Sequence, residues 1–108
     1  MLTKEELVRL LINDTDAFNK EVKNFDYDLS ETDMSNLTIE GAVFNSVDLT
    51  SSSFSDSQLT DVKFINCDLT SVDFTRTKII ECNFSESILN GADFSYSTIN
   101  YCGFPDSD

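Results

Sequence analysis

The chain has 108 residues, 40% of them hydrophobic, with a formal net charge of −13 and no His or Trp. That length suits one domain and is too short for two, and the apolar content is too high for a disordered tail. No apolar run reaches the length of a bilayer-spanning helix, and an N-terminus carrying Glu5 and Glu6 without a small-residue cleavage pattern reads as having no signal peptide.

Residues 1–24 read as a helical cap. Thr3 followed by Glu6 is a capping-box pattern. Leu7, Leu10 and Leu11 then fall at helical spacing. Asn13-Asp14-Thr15-Asp16 marks a break and a new N-cap, after which Phe18, Val22 and Phe25 continue the apolar face. One or two helices over 3–24 are expected, lying on whatever follows; a helix that binds a partner is the alternative. Five acids and four bases leave this stretch close to neutral.

Residues 25–108 are organised differently. Every fifth residue from Leu29 to Phe104 is large and apolar, sixteen in succession. At 40% hydrophobic content, chance gives such a run in some register roughly twice in a million trials. A period of five belongs neither to a helix nor to a strand. Two residues before each large one stands a residue that is nearly always small after the first few units: Ala42, Val47, Ser52, Ser57, Val62, Cys67 and onward. On an extended segment residues spaced by two point the same way, so each unit presents one small and one large residue inward, and the two mostly polar residues that follow form a corner. Residues twenty apart match best. Leu29, Leu49, Leu69 and Leu89 are identical, as are Phe44, Phe64, Phe84 and Phe104. Four units therefore close one coil, and sixteen units give about four coils.

These units resemble the pentapeptide-repeat family, whose motif is A(D/N)LXX. Ala92-Asp93-Phe94-Ser95-Tyr96 and Cys67-Asp68-Leu69-Thr70-Ser71 are close matches, and the resemblance runs over about residues 25–106. It implies an all-β solenoid, a right-handed quadrilateral β-helix with the N-terminal helices as its cap. Four coils, one strand spacing each, make a rod of about 19 Å.

After Phe104 come only Pro105-Asp106-Ser107-Asp108, and Pro105 reads as a block to further strand pairing. No helical pattern shields the last coil, so Tyr96, Tyr101 and Phe104 are expected near an exposed apolar end, a candidate surface for a C-terminal end-to-end homodimer.

Nothing in the sequence points to catalysis. Without His there is no base for a Ser or Cys nucleophile, and the Ser and Thr residues recur at corners, where turn hydrogen bonding explains them. Cys67, Cys82 and Cys102 fall at the small inward position, form no CxxC pair and suit neither a full disulfide set nor a zinc site. They read as core thiols of a chain kept in a reducing cytoplasm. No cofactor or metal site is expected.

The acids are the distinctive feature. Residues 25–108 hold fifteen acids against Lys63, Arg76 and Lys78, an excess of twelve. Sorting the residue before each large one by wall gives Asp28, Asp48, Asp68 and Ile88 on the first, and Asp33, Ser53, Asp73 and Asp93 on the second. The third carries Thr38, Gln58, Lys78 and Thr98, and the fourth Val43, Lys63, Asn83 and Gly103. Two adjacent walls are acidic and two are not. Asp28, Asp33, Asp48, Asp68, Asp73 and Asp93 are the candidate interaction surface; the plainer reading of the same residues is local hydrogen bonding within the motif. Such a surface repels nucleic acid and anionic membranes directly and attracts basic proteins. The expected function is a non-catalytic interaction or scaffold rod. The family resemblance supplies the alternative, a DNA-mimicking binder of gyrase or another type II topoisomerase: duplex DNA carries about eleven charges over a similar length.

Overall fold

The computed structural model describes residues 1–108. The elements are α1 (Lys4–Asn13), α2 (Thr15–Asn24), β1 (Thr38–Glu40), β2 (Val43–Asn45), β3 (Gln58–Thr60), β4 (Lys63–Ile65), β5 (Lys78–Ile80) and β6 (Thr98–Asn100). Both helices start where the sequence places them. Thr3 Oγ1 accepts the Glu6 N–H at 3.1 Å while Glu6 Oε1 accepts the Thr3 N–H at 2.9 Å, the reciprocal pair of a capping box. Asp14 ends α1 and caps α2, its Oδ1 accepting the Ala17 N–H at 3.1 Å. Leu7, Leu11, Phe18 and Val22 form the buried stripe of this helical pair.

From Tyr27 onward the chain winds as a β-solenoid. β1, β3, β5 and β6 form a parallel sheet in that order, each strand displaced by twenty residues, so that Ile39 stands beside Leu59, then Ile79, then Ile99. β2 pairs with β4 in the same way, and single bridges carry that wall on through Asn83 and Gly103. The other two walls are held by bridges alone, through Asp28, Asp48, Asp68 and Ile88 and through Asp33, Ser53, Asp73 and Asp93. Each wall is thus crossed four times. Counted as complete turns between first and last crossing, Leu29 to Leu89, the solenoid makes about three turns, slightly short of the four coils expected.

The corners have one backbone conformation throughout. The second residue after each large one has φ between +52° and +74°, at all sixteen units from Glu31 to Asp106, and only Gly41 and Gly91 among them are glycine. Left-handed backbone is unfavourable for other residues. Here it aims the corner N–H along the axis, where Glu31 donates to Thr50 C=O, Ser51 to Thr70 C=O and Ser71 to Asn90 C=O, each at 2.9 Å. On the first two walls the turn also closes on itself: Ser52 N–H donates to Leu49 C=O at 3.0 Å, and Ser57 N–H to Phe54 C=O at 3.2 Å.

Inside, side chains stack in columns. Phe44, Phe64, Phe84 and Phe104 lie nearly parallel with centroids 4.8–5.0 Å apart. Phe54, Phe74 and Phe94 form a second stack, and the two columns meet edge to face. Burying each ring contributes about 1.5–3 kcal/mol, with geometry adding to it. Leu29, Leu49 and Leu69 are fully buried in line; Leu89, in the last turn, is half-buried. The small inward residues close the remaining space and supply hydrogen bonds. Ser52 Oγ donates to Leu29 C=O at 2.6 Å and accepts the Thr32 N–H at 3.1 Å, tying two turns together.

The cap plugs the lower end: Phe18 meets Phe44 edge-on, centroids 5.1 Å apart, and α2 packs on β2. At the upper end the expectation for Pro105 is corrected. The chain continues in register through Asp108, with Glu86 N–H donating to Pro105 C=O at 2.9 Å and Leu89 N–H to Asp108 C=O at 2.8 Å. Pro105 falls one residue after the large one. On the first two walls the N–H at that place is held by the carboxylate two residues earlier. Gly103 offers no carboxylate and Pro105 has no N–H, so nothing is lost.

Candidate interaction surface

On the first wall Asp28, Asp48 and Asp68 stand on successive crossings, about 4.8 Å apart along the axis; on the second Ser53 separates Asp33 from Asp73, which Asp93 follows. Each of the six aspartates is held by its own turn. Asp48 Oδ1 accepts the Thr50 N–H at 3.0 Å and the Thr50 hydroxyl at 2.6 Å, and Asp68 with Thr70, Asp73 with Thr75, Asp33 with Ser35 and Asp93 with Ser95 repeat the arrangement. Asp28 Oδ1 accepts the Ser30 N–H at 2.8 Å. The motif's Asp therefore has the local structural role that the plainer reading gives it. These bonds favour the charged form. The Ser35 hydroxyl and then its N–H hold Asp33 below the usual carboxylate range, and Ser95 does the same for Asp93. Asp28 is lowered by Ser30 first and by Lys4 last. In every case the bonded atom is Oδ1, which leaves Oδ2 free to face solvent. Asp28, Asp33, Asp48 and Asp93 are exposed; Asp68 and Asp73 are half-buried. Only Asp28 has a cation within ion-pair reach, Lys4 Nζ at 4.0 Å.

A second set of acids was missed by sorting one position in five. The corner column after the third wall stacks Asp61 on Glu81, and the next stacks Glu86 on Asp106, all exposed. The twenty-residue period at the corner position was the signal that locates them. On the corner after the second wall Arg76 lies over Asp56, with Nε to Oδ1 at 2.9 Å and Nη2 to Oδ2 at 3.3 Å, a forked pair that neutralises one acid.

Tyr96 and Tyr101 occupy the two corners that bracket β6, both with positive φ and both 89% exposed. Phe104 ends the fourth-wall column at 41% exposure, and Ile88 and Ile99 on the same last turn are exposed to a similar degree. The three residues expected at the upper end are therefore on one turn, with the tyrosines outside the column that Phe104 terminates.

The thiols are unpaired. Cys67 and Cys82 are buried, and burial pushes both up to about 11. No group of three or more His, Cys, Asp or Glu side chains is arranged to hold a metal ion. A cleft of about 350 Å³ between α1 and the first turn is lined by charges of both signs, among them Lys4, Arg9, Glu31 and Asp33. No helix is long and apolar enough to cross a membrane.

Several solved structures share the fold. A pentapeptide repeat protein from the Arabidopsis thaliana thylakoid lumen superposes with a TM-score of 0.68 at 22% identity, over 75% of this chain and 60% of that one. QnrB1, a plasmid-mediated fluoroquinolone resistance protein, gives 0.67 at 14% identity, over 77% of this chain and 46% of that one. HetL, a pentapeptide repeat protein involved in heterocyst differentiation regulation in the cyanobacterium Nostoc, gives 0.54 at 15% identity, over 73% and 36%. The chain thus spans 60% or less of each. No curated protein sequence matches it. A family profile described as pentapeptide repeats matches residues 28–66 and 67–100, with eight copies. Those are the residues whose five-residue register, inward columns and left-handed corners have just been described, and the chain belongs to the pentapeptide-repeat family.

Proposed function

We propose that the chain is a non-catalytic acidic rod whose first two walls dock on a basic surface of a protein partner. The observation that carries this reading is the fixed array of six aspartates, each oriented by its own turn and each with one carboxylate oxygen unengaged. Preorganised charge meets a cationic surface with little ordering cost. Three free thiols suit work in a reducing compartment such as the cytoplasm. Direct binding to nucleic acid or to an anionic membrane is opposed by the charge. The test exploits the turn chemistry. Asp48→Asn, Asp68→Asn and Asp73→Asn together keep the Oδ1 acceptors and remove three charges. Binding to a basic partner captured from cytosol should weaken, and its salt dependence should fall. Unchanged binding by a folded triple variant would overturn the assignment.

A type II topoisomerase is the second reading for that partner. The fold likeness to a fluoroquinolone resistance protein and an axial charge density close to that of duplex DNA favour it. A gyrase supercoiling assay with and without quinolone decides it. Neither inhibition nor protection at micromolar protein removes the reading.

The upper end supports a homodimer. Two bulky residues, Tyr96 and Tyr101, are held in a backbone region that disfavours them and are almost wholly exposed. Every corner shares this backbone, at about 1 kcal/mol or more each; these two are set apart by carrying exposed aromatic rings. With Phe104 they form the proposed contact between two copies. Tyr96→Asn with Tyr101→Asn relieves the strain, so the monomer should become more stable while sedimentation shows the dimer lost. A wild-type chain that is monomeric at high concentration removes the proposal.

A further inference from the structure

The cap covers the core at the lower end of the solenoid but not all of its backbone. In the upper turns the third wall bonds downward through the strand ladder and through one further group near each end of the strand. Gln58 N–H donates to Leu37 C=O at 2.8 Å, and Thr60 C=O accepts the Gly41 N–H at 3.0 Å; Lys78 and Ile80 repeat the pattern on β3 and its corner. β1 is the terminal strand of its sheet, so the equivalent groups, Thr38 N–H and Glu40 C=O, have no turn beneath them. On two other walls the cap substitutes for the missing turn: Asn19 Oδ1 accepts the Val43 N–H at 2.7 Å, and Lys4 Nζ donates to Ser30 C=O at 2.7 Å. No cap side chain reaches Thr38 or Glu40, because α2 packs on β2, one wall away.

We propose that the lower edge of β1 accepts an extended basic segment of another protein as an added strand. This rests on the acidic-rod reading and names a specific place for one partner. An unpaired strand edge is a template for pairing. In the turn above, the two edge groups are served by Leu37 and Gly41, four residues apart in the chain, so one short extended stretch satisfies both. The charge selects the occupant. The first turn, residues 27–46, carries Asp28, Glu31, Asp33 and Glu40 and no base; Lys4 and Arg9 of the cap stand beside the first three, whereas Glu40, on β1 itself, has no ion-pair partner. A second copy would bring its own Glu40 to the same edge, which like-charge repulsion opposes, whereas a lysine flanking an added strand would face an unpaired carboxylate.

The probe is a short peptide of alternating Lys and Val, added to the intact chain while amide hydrogen exchange is followed by NMR. Exchange at Thr38 should slow about tenfold or more, with Gln58 and Lys78, already bonded, unchanged. The protection should shrink with salt and be absent with an alternating Glu and Val peptide. The same Lys and Val peptide with N-methylated amides, unable to donate to Glu40 C=O, should protect weakly. If the basic peptide binds and perturbs only the first two walls, the edge assignment fails and the acidic-rod reading stands. If no basic peptide binds at all, both fail. Protection of Thr38 that grows with protein concentration alone, or that the acidic peptide matches, overturns the choice of occupant and with it the proposal.

Discussion

Asn19 Oδ1 accepts the Val43 N–H at 2.7 Å while its Nδ2 donates to Gly41 C=O at 3.1 Å, so one side-chain amide stands where the peptide of a lower turn would be. Two turns higher on the same wall the job is done by backbone, Asn83 N–H donating to Val62 C=O at 3.0 Å. Asn19→Ala strips both bonds from a half-buried strand edge and should cost about 1–3 kcal/mol. Asn19→Asp keeps the acceptor but sets a carboxylate against Gly41 C=O, and should also destabilise. Urea unfolding midpoints check both. An alanine variant as stable as the parent would show that packing alone joins cap to solenoid.

The Phe columns predict a gradient along the axis. Phe64 is fully buried between Phe44 and Phe84, with centroids 4.9 and 5.0 Å away. Phe18 is fully buried but meets the column from below. Phe104 stacks on Phe84 alone and is 41% exposed. Truncation of a buried Phe costs about 3–5 kcal/mol. Phe64→Ala and Phe18→Ala should both approach that figure, and Phe104→Ala should cost clearly less, because a terminal turn of a solenoid has one neighbour instead of two. Denaturant titration ranks the three. Equal losses would contradict an end-weighted stability.

A solenoid writes its geometry into the sequence as a period, which is why the inward columns were legible. Leu29, Leu49 and Leu69 share one environment repeated by translation, and the same residue fills it each time. The caps at Thr3 and Asp14 were legible because their chemistry is local. The left-handed corners were not. Glu31, Asp56 and Arg76 carry no glycine signal, and their conformation is set by axial bonds to the turn above, such as Glu31 N–H to Thr50 C=O. Asn19 was invisible for a similar reason: a lone amide on a helix acquires its role only from a strand more than twenty residues away. The aspartate columns were legible in position. Their hydrogen bonds came into view only with the turn, and those bonds make the motif's acid structural before it is anything else.

Thiol reactivity should divide the three cysteines. Burial pushes Cys67 and Cys82 up to about 11, so at pH 8 only about one in a thousand is thiolate. Cys102 is half-buried in the last turn. A disulfide reagent should show one fast thiol, lost in Cys102→Ser, and two that react only when urea opens the chain. Cys67→Ser should be close to neutral for stability. Ser87, one turn up in the same column, donates to Phe64 C=O at 2.9 Å as Cys67 donates to Phe44 C=O at 3.0 Å. Fast reaction of all three thiols in the folded protein would mean that the core opens readily.

Acid should expose the structural share of the aspartates. Asp33 and Asp93 are held below their ordinary value of 3.8 by the hydroxyl and N–H of Ser35 and Ser95. Between the folded and ordinary values the unfolded chain binds more protons, so stability rises with pH there. The contribution is complete above the ordinary value and is lost as pH falls through the folded ones. The thermal midpoint should therefore drop below about pH 4. Asn at these positions still accepts through Oδ1 but does not titrate. Asp33→Asn with Asp93→Asn should fold at neutral pH and show a shallower acid limb in a midpoint-against-pH series. An acid limb of unchanged slope would place the proton-linked loss elsewhere and leave these two turns without a titrating role.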